Sequence, residues 1–137
     1  MKTFSRILLA LFYVVAGLNH FLMPDWYMKI MPPYLPWPYA LVLLSGAAEV
    51  FLGVLAFFPS VAPLAGWGLA ALLLAVFPAN VYMALHTENY PALASWIPWA
   101  RLPFQGLFIV WALWSTDALT ILRRERSEKL NLSGSRS

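Results

Sequence analysis

The chain has 137 residues, 61% of them hydrophobic and 11% charged, with a formal net charge of +3 and a mean hydropathy of +0.69. That balance leaves too little polar surface to coat a water-soluble globule, and four membrane-spanning helices of roughly 20 residues each would leave no room for a second domain. Cysteine is absent, which excludes disulfides, thiolate metal ligands and a cysteine redox relay within this chain.

The first predicted span covers 4–23, with the apolar run Ile7 to Leu18 following Lys2 and Arg6. Ala16-Gly17-Leu18 is a poor cleavage site and the run continues through His20 to Met23, so a retained helix is expected rather than a removed signal peptide. The segment from Pro24 to Pro38 sets Pro32, Pro33 and Pro36 among Trp26, Tyr27, Tyr34 and Trp37. It cannot be helical throughout and is expected to form a rigid loop at the membrane interface. The second span, 39–58, carries Glu49 as its only charge; the third, 61–85, carries none and contains Pro78 and Asn80. A second aromatic loop over 86–100 leads to the fourth span, 101–119. The fold class expected is all-α: an integral membrane four-helix bundle occupying 1–122 as a single domain, followed by a polar, basic tail over 123–137.

Lys2, Arg6, Arg123, Arg124, Arg126, Lys129 and Arg136 flank the outermost spans, against only Lys29 and Arg101 beside the aromatic loops. By the positive-inside rule both termini are cytoplasmic, and an even number of spans agrees. The juxtamembrane arginines are expected to meet anionic membrane lipid; Glu125 and Glu128 among them argue against nucleic acid as a partner. Asn19 and Asn80 each stand near the outer end of the first helix of a hairpin and precede an aromatic loop, so the two hairpins read as distant copies.

At about 1.5 Å per residue, Glu49 lies roughly 15 Å into its helix, near the bilayer centre. Asn19, His20, Asn80 and Gln105 fall in the outer half of the same membrane, whereas the inner halves hold little beyond hydroxyls and small residues. A carboxylate at that depth costs roughly 3 kcal/mol or more, so Glu49 is expected to face inward and to be either protonated or partnered. Ser45, Gly46, Gly53 and Ala56 share its helix face and would let a neighbour approach closely. Tyr13, Ala16, Gly17 and His20 share a face of the first span, and Arg101 and Gln105 stand one turn apart on the fourth. Pro78 leaves the Leu74 carbonyl without its usual donor and is expected to bend the third span below Asn80.

Other features have plainer readings. His86 and Glu88 in a loop, without a close third ligand, do not make a metal site, and none is expected. Trp26, Trp37, Trp96 and Trp99 fit an interfacial aromatic belt. Soluble-enzyme signatures such as a phosphate-binding glycine loop or a nucleophile elbow are absent from the sequence.

The runs Ala16-Gly17-Leu18-Asn19-His20-Phe21, Ile30-Met31-Pro32-Pro33-Tyr34-Leu35-Pro36, Ser45-Gly46 through Glu49, Phe77-Pro78-Ala79-Asn80 and Arg101-Leu102-Pro103-Phe104-Gln105 resemble, in order and spacing, the DoxX-like family of small four-helix membrane proteins. The resemblance covers about 4–114. It implies that His20, Glu49, Asn80, Arg101 and Gln105 form a site, joined by Asn19. Some members of the wider superfamily are implied to be membrane subunits of quinone-linked oxidoreductases and others to act in thiol-redox or assembly contexts; the lack of cysteine argues against the thiol branch.

The leading expectation is a bacterial inner-membrane protein with an outer-leaflet pocket for a lipophilic small molecule such as a quinone, with no intrinsic cofactor, supporting a redox or stress-related system. In it Glu49 exchanges a proton or hydrogen bond with a quinone oxygen, His20 and Asn80 orient the ring, and Arg101 and Gln105 sit at the mouth. The alternative is a non-enzymatic assembly subunit, whose polar cluster locks the helices and whose loops grip a membrane protein partner. Proton or solute passage is the weaker third reading, because no acidic or basic residue on the inner halves completes a path.

Overall fold

The computed structural model describes residues 1–91 and 93–136; Ala92 in the second aromatic loop and Ser137 at the end of the expected tail lie outside the described residues. Regular structure among them is all helical: α1 Lys2–Leu22, α2 Pro24–Lys29, α3 Pro38–Ala56, α4 Ala62–Leu85, α5 Ile97–Ser115 and α6 Leu119–Gly134, with a 3-10 turn at Thr87–Asn89. Proline marks the starts. Pro24, Pro38, Pro63 and Pro98 occupy the first or second position of α2, α3, α4 and α5, where the missing N–H has no intrahelical partner to lose. Trp37, with φ of 48°, turns the chain out of the proline-rich loop and into α3.

Helices α1, α3 and α4 are each long and apolar enough to cross a membrane; α5 joins them only when it and α6, bent by 56°, are taken as one span. Arg101 and Gln105 in the first half of α5 lower its hydropathy. Two expected boundaries move. The fourth apolar helix occupies Ile97–Ser115 rather than 101–119, because Pro98 starts it sooner and Asp117, with φ of 54°, turns the chain aside after Thr116. The segment expected as a polar tail is helical as far as Gly134, and α6 buries none of its residues.

The four long helices pack in the order α1, α3, α4, α5, and α1 meets α5 along the thinnest seam. The α1–α3 seam is the closest, and glycine makes it so. A Cβ added to Gly17 would stand 2.6 Å from the Gly46 carbonyl oxygen, and one added to Gly46 would stand 2.6 Å from the Cβ of His20. Gly53 lies against the backbone of Ala10 and Val14 in the same way. Gly46, Gly53 and Ala56 are buried on α3, with Ser45 half-buried beside them, so the small-residue stripe faces α1. Leu9, Tyr13, Leu69 and Ala112 form one core cluster; Ala10, Ala56 and Ala65 form another.

Polar side chains tie one end of the helices together. Lys2 Nζ donates to Asp117 Oδ1 at 2.5 Å, and Arg6 Nη1 donates to the Ala56 and Phe57 carbonyls that end α3, at 3.0 and 2.7 Å. Trp111 Nε1 donates to Ser5 Oγ at 2.8 Å. This terminal end gathers the start of α1, the end of α3, the start of α4 and the end of α5. The opposite, loop end carries α2 and the two aromatic loops.

Candidate functional site

Near the loop end the four long helices enclose a cavity of about 270 Å³. His20 reaches it from α1, Glu49 from α3, Asn80 from α4, and Arg101 and Gln105 from α5. Asn19, one step round α1 from His20, is not on the wall; its Nδ2 donates to Tyr27 Oη at 2.9 Å. Apolar and aromatic groups complete the lining, including Tyr13, Leu73, Phe104 and Tyr27.

Each polar residue is held differently. His20 is fixed on two sides: Nδ1 lies 3.0 Å from the Val42 carbonyl oxygen, and the ring stacks on Tyr27 with centroids 3.9 Å apart. A carbonyl only accepts, so Nδ1 carries the proton and Nε2 is left to face the cavity. Glu49 Oε2 lies 3.6 Å from Nε2, beyond hydrogen-bonding distance, and is a fully buried oxygen with no hydrogen-bond partner. Arg101 is half-buried on the wall rather than extended away from it, and forms no hydrogen bond or ion pair among the described residues. The cavity therefore holds a buried acceptor without a hydrogen-bond partner and, on the same wall, a half-buried guanidinium whose donors are unpaired among the described residues.

Asn80 and Gln105 satisfy each other. Asn80 Nδ2 donates to Gln105 Oε1 at 2.9 Å, and Gln105 Nε2 donates to the Leu73 carbonyl. Gln105 is therefore a buried link between α4 and α5, at 4% exposure, and not a residue of the mouth. Helix α4 runs unbroken through Pro78, and the carbonyl that Gln105 reaches is that of Leu73, one residue before the Leu74 expected from the missing proline N–H. The amide therefore ties α5 to the backbone of α4 one turn before Pro78 without replacing the donor that the proline removes from Leu74.

The chemistry-bearing residue that composition and spacing did not single out is Tyr27. It belongs to α2, the one short helix inside the proline-rich loop, and lies across His20 as a lid held by Asn19. Its spacing from Pro24, which starts α2, was the available signal. Phe12, Phe104 and Phe108 were read only as apolar span residues, yet they form the cavity wall where α1 meets α5. Phe12 and Phe108 stack with centroids 5.2 Å apart and planes 16° from parallel.

The second histidine stands apart from this site: His86 Nδ1 faces the Tyr82 carbonyl at 3.0 Å and its ring stacks on Tyr82, which Tyr34 meets edge-on. Tyr90 nearby is buried with a hydroxyl that has no partner; burial first, and then Tyr82 and Tyr34, push its phenol above the usual tyrosine value. Among the described residues no three His, Cys, Asp or Glu side chains gather as a metal site would require.

No curated protein and no solved structure matches the chain. A family model described as a domain of unknown function (DUF8561) matches residues 9–116, a stretch that contains every residue of the cavity wall, and the chain belongs to that family.

Proposed function

We propose that this DUF8561 protein is a DoxX-like four-helix bundle of the bacterial inner membrane, with cytoplasmic termini, whose outer-leaflet cavity binds a lipophilic small molecule of the quinone class for a membrane redox or stress-related system. The observation that carries the reading is the buried, unpartnered Glu49 Oε2 on a wall shared with the unpaired Arg101 guanidinium. A cavity of about 270 Å³ is near the lower limit of the ~300–1,000 Å³ typical of small-molecule sites, which suits a ring headgroup rather than a whole isoprenoid chain.

A quinone offers two carbonyl oxygens that accept hydrogen bonds and, once reduced, two hydroxyls that donate them. Arg101 supplies donors for the first form; Glu49 Oε2 supplies an acceptor for the second. His20, locked by Val42 and Tyr27, presents Nε2 beside Glu49, so the two residues hold or move one proton at a ligand oxygen. Tyr27, Phe104 and Phe108 flank the ring. Asn80 and Gln105 keep α4 and α5 in register behind it.

The Asn80–Gln105–Leu73 linkage also supports the alternative, an assembly subunit whose polar residues lock the helices and whose loops hold a membrane partner. Mass spectrometry of small molecules retained by the protein in mild detergent separates the two. A stoichiometric lipophile in the wild type, absent from Glu49→Gln, is the expected result. No retained or titratable quinone, with Glu49→Gln melting earlier, favours the assembly reading.

A further inference from the structure

A second cavity, of about 480 Å³, opens at the terminal end of the helices, on the far side of the protein from Glu49. Its charged lining is Lys2, Arg6, Arg124 and Asp117: three cations to one carboxylate. Asp117 is already committed to Lys2 at 2.5 Å, so the remaining charge of the cavity is positive. Arg6 donates through Nη1 to the end of α3, which leaves its other guanidinium donors in place but uncommitted. Arg124, on the first turns of α6, has no side-chain hydrogen bond or ion pair among the described residues.

The backbone adds to the same sign. Three helices begin at this cavity: α1 at Lys2, α4 at Ala62, and α6 at Leu119, one residue before Thr120 on the wall. None of the three has an acidic residue in its first turn or a side-chain hydrogen bond capping its start. The Ala62 and Thr120 N–H groups already donate to the Phe58 and Asp117 carbonyls, so these helix starts contribute the positive ends of their dipoles, which reinforce the field of the cationic side chains. Thr3 adds a hydroxyl to the wall.

We propose that this cavity binds a phosphate group, with Arg124 and Lys2 closing on it from opposite sides. Planar guanidinium forks match phosphate oxygens, and Lys2 can exchange Asp117 for a second, more highly charged acceptor. The phosphate has two possible sources of the same chemistry, the headgroup of an anionic phospholipid and free phosphate in solution, and the position of the cavity at the end of apolar helices admits both. Lys2, Arg6, Asp117 and Arg124 lie just outside residues 9–116, whereas Pro59, Ala62, Pro63, Ser115 and Thr116 on the same wall lie inside that stretch.

The test uses the full chain, delipidated in non-ionic detergent. In one arm, native mass spectrometry counts adducts from mixed micelles holding equal phosphatidylglycerol and phosphatidylcholine. In the other, melting is followed while inorganic phosphate is titrated against chloride at matched ionic strength. A single preferred phosphatidylglycerol adduct identifies a lipid headgroup; stabilisation by phosphate without lipid preference identifies a soluble source. In either case Arg124→Gln should weaken binding about tenfold, the worth of one charge-assisted hydrogen bond, while Arg123→Gln, one residue off the wall, leaves it unchanged. The proposal is overturned by the absence of both effects, or by equal losses in the two variants, which would make the effect one of general surface charge.

Discussion

Glu49 Oε2 and His20 Nε2 face each other at 3.6 Å across the closest helix seam in the protein, with His20 Nδ1 already turned to the Val42 carbonyl. Two acceptors in that position repel unless a proton lies between them, on either the carboxyl or the imidazole. In the proposed site the pair would share one exchangeable proton, and a ligand oxygen would reach both atoms from the cavity side, since 3.6 Å leaves no room between them.

Replacing Glu49 by Gln keeps the shape and removes the exchange. Retention of a quinone probe such as a short-chain ubiquinone analogue should fall at least about tenfold, the loss of one charge-assisted hydrogen bond, and any pH dependence of binding that comes from this carboxyl should disappear. Fluorescence quenching of the aromatic wall by the probe measures both. Unchanged affinity with unchanged pH dependence would remove Glu49 from the site.

Gln105→Leu separates holding the helices from holding the ligand. Loss of the bonds to Asn80 and Leu73 should cost about 1 kcal/mol, and the double change Asn80→Leu with Gln105→Leu should cost less than the sum of the two single changes, because no amide is then left unpaired. Denaturation in mixed micelles measures the stabilities. A double variant that loses the full sum would show that the two amides act independently.

The glycine seam predicts opposite signs at two positions. Gly17→Ala drives a methyl into the Gly46 backbone and should destabilise by about 1–3 kcal/mol. Gly106, on α5, has nothing within 4 Å of where a Cβ would stand, and Gly106→Ala should be neutral or stabilise by about 0.5–1 kcal/mol through helix propensity. Melting temperatures of the two variants, compared in one detergent, give the answer.

Tyr90 carries its own test. Its buried hydroxyl has no partner, so Tyr90→Phe should be neutral or stabilising by about 1 kcal/mol. Its phenol titrates above the ordinary value, so the unfolded chain loses that proton first as pH rises, and stability falls through the window beginning near the usual tyrosine pKa. Alkaline melts of Tyr90→Phe should show a shallower decline than the wild type; equal slopes would assign the decline to other groups.

Much of this architecture is legible in the sequence because the governing signals are local. Apolar length gives α1, α3 and α4 to within two residues at each end, and the prolines mark where α2 to α5 begin. Helical rise places His20, Asn80 and Gln105 in the outer half and Glu49 near the centre, with Arg101 at the outer start of its span, so four helices could be expected to direct polar groups toward one end. What the sequence does not carry is rotation about each helix axis and the path of the loops. Asn19 turned to Tyr27 instead of the cavity, and Gln105 turned inward to α4 instead of outward to the mouth, because both followed partners set by packing. Helix α6 was read as tail because its polar residues have no apolar period to reveal a helix, and the early stop of α5 depends on the backbone of a single aspartate.

The thin seam between α1 and α5 has a thermodynamic consequence. There the stacked rings of Phe12 and Phe108 form part of the cavity wall, with Phe12 44% and Phe104 57% exposed. Rotation of two phenyl side chains is a small motion compared with separating glycine-packed helices. For the lipophilic ligand proposed above, occupancy would be governed by its mole fraction among the surrounding acyl chains, not by its concentration in water. A compound that partitions strongly into the bilayer can fill such a site with modest intrinsic affinity, and a site of the proposed kind would read the composition of the membrane around it.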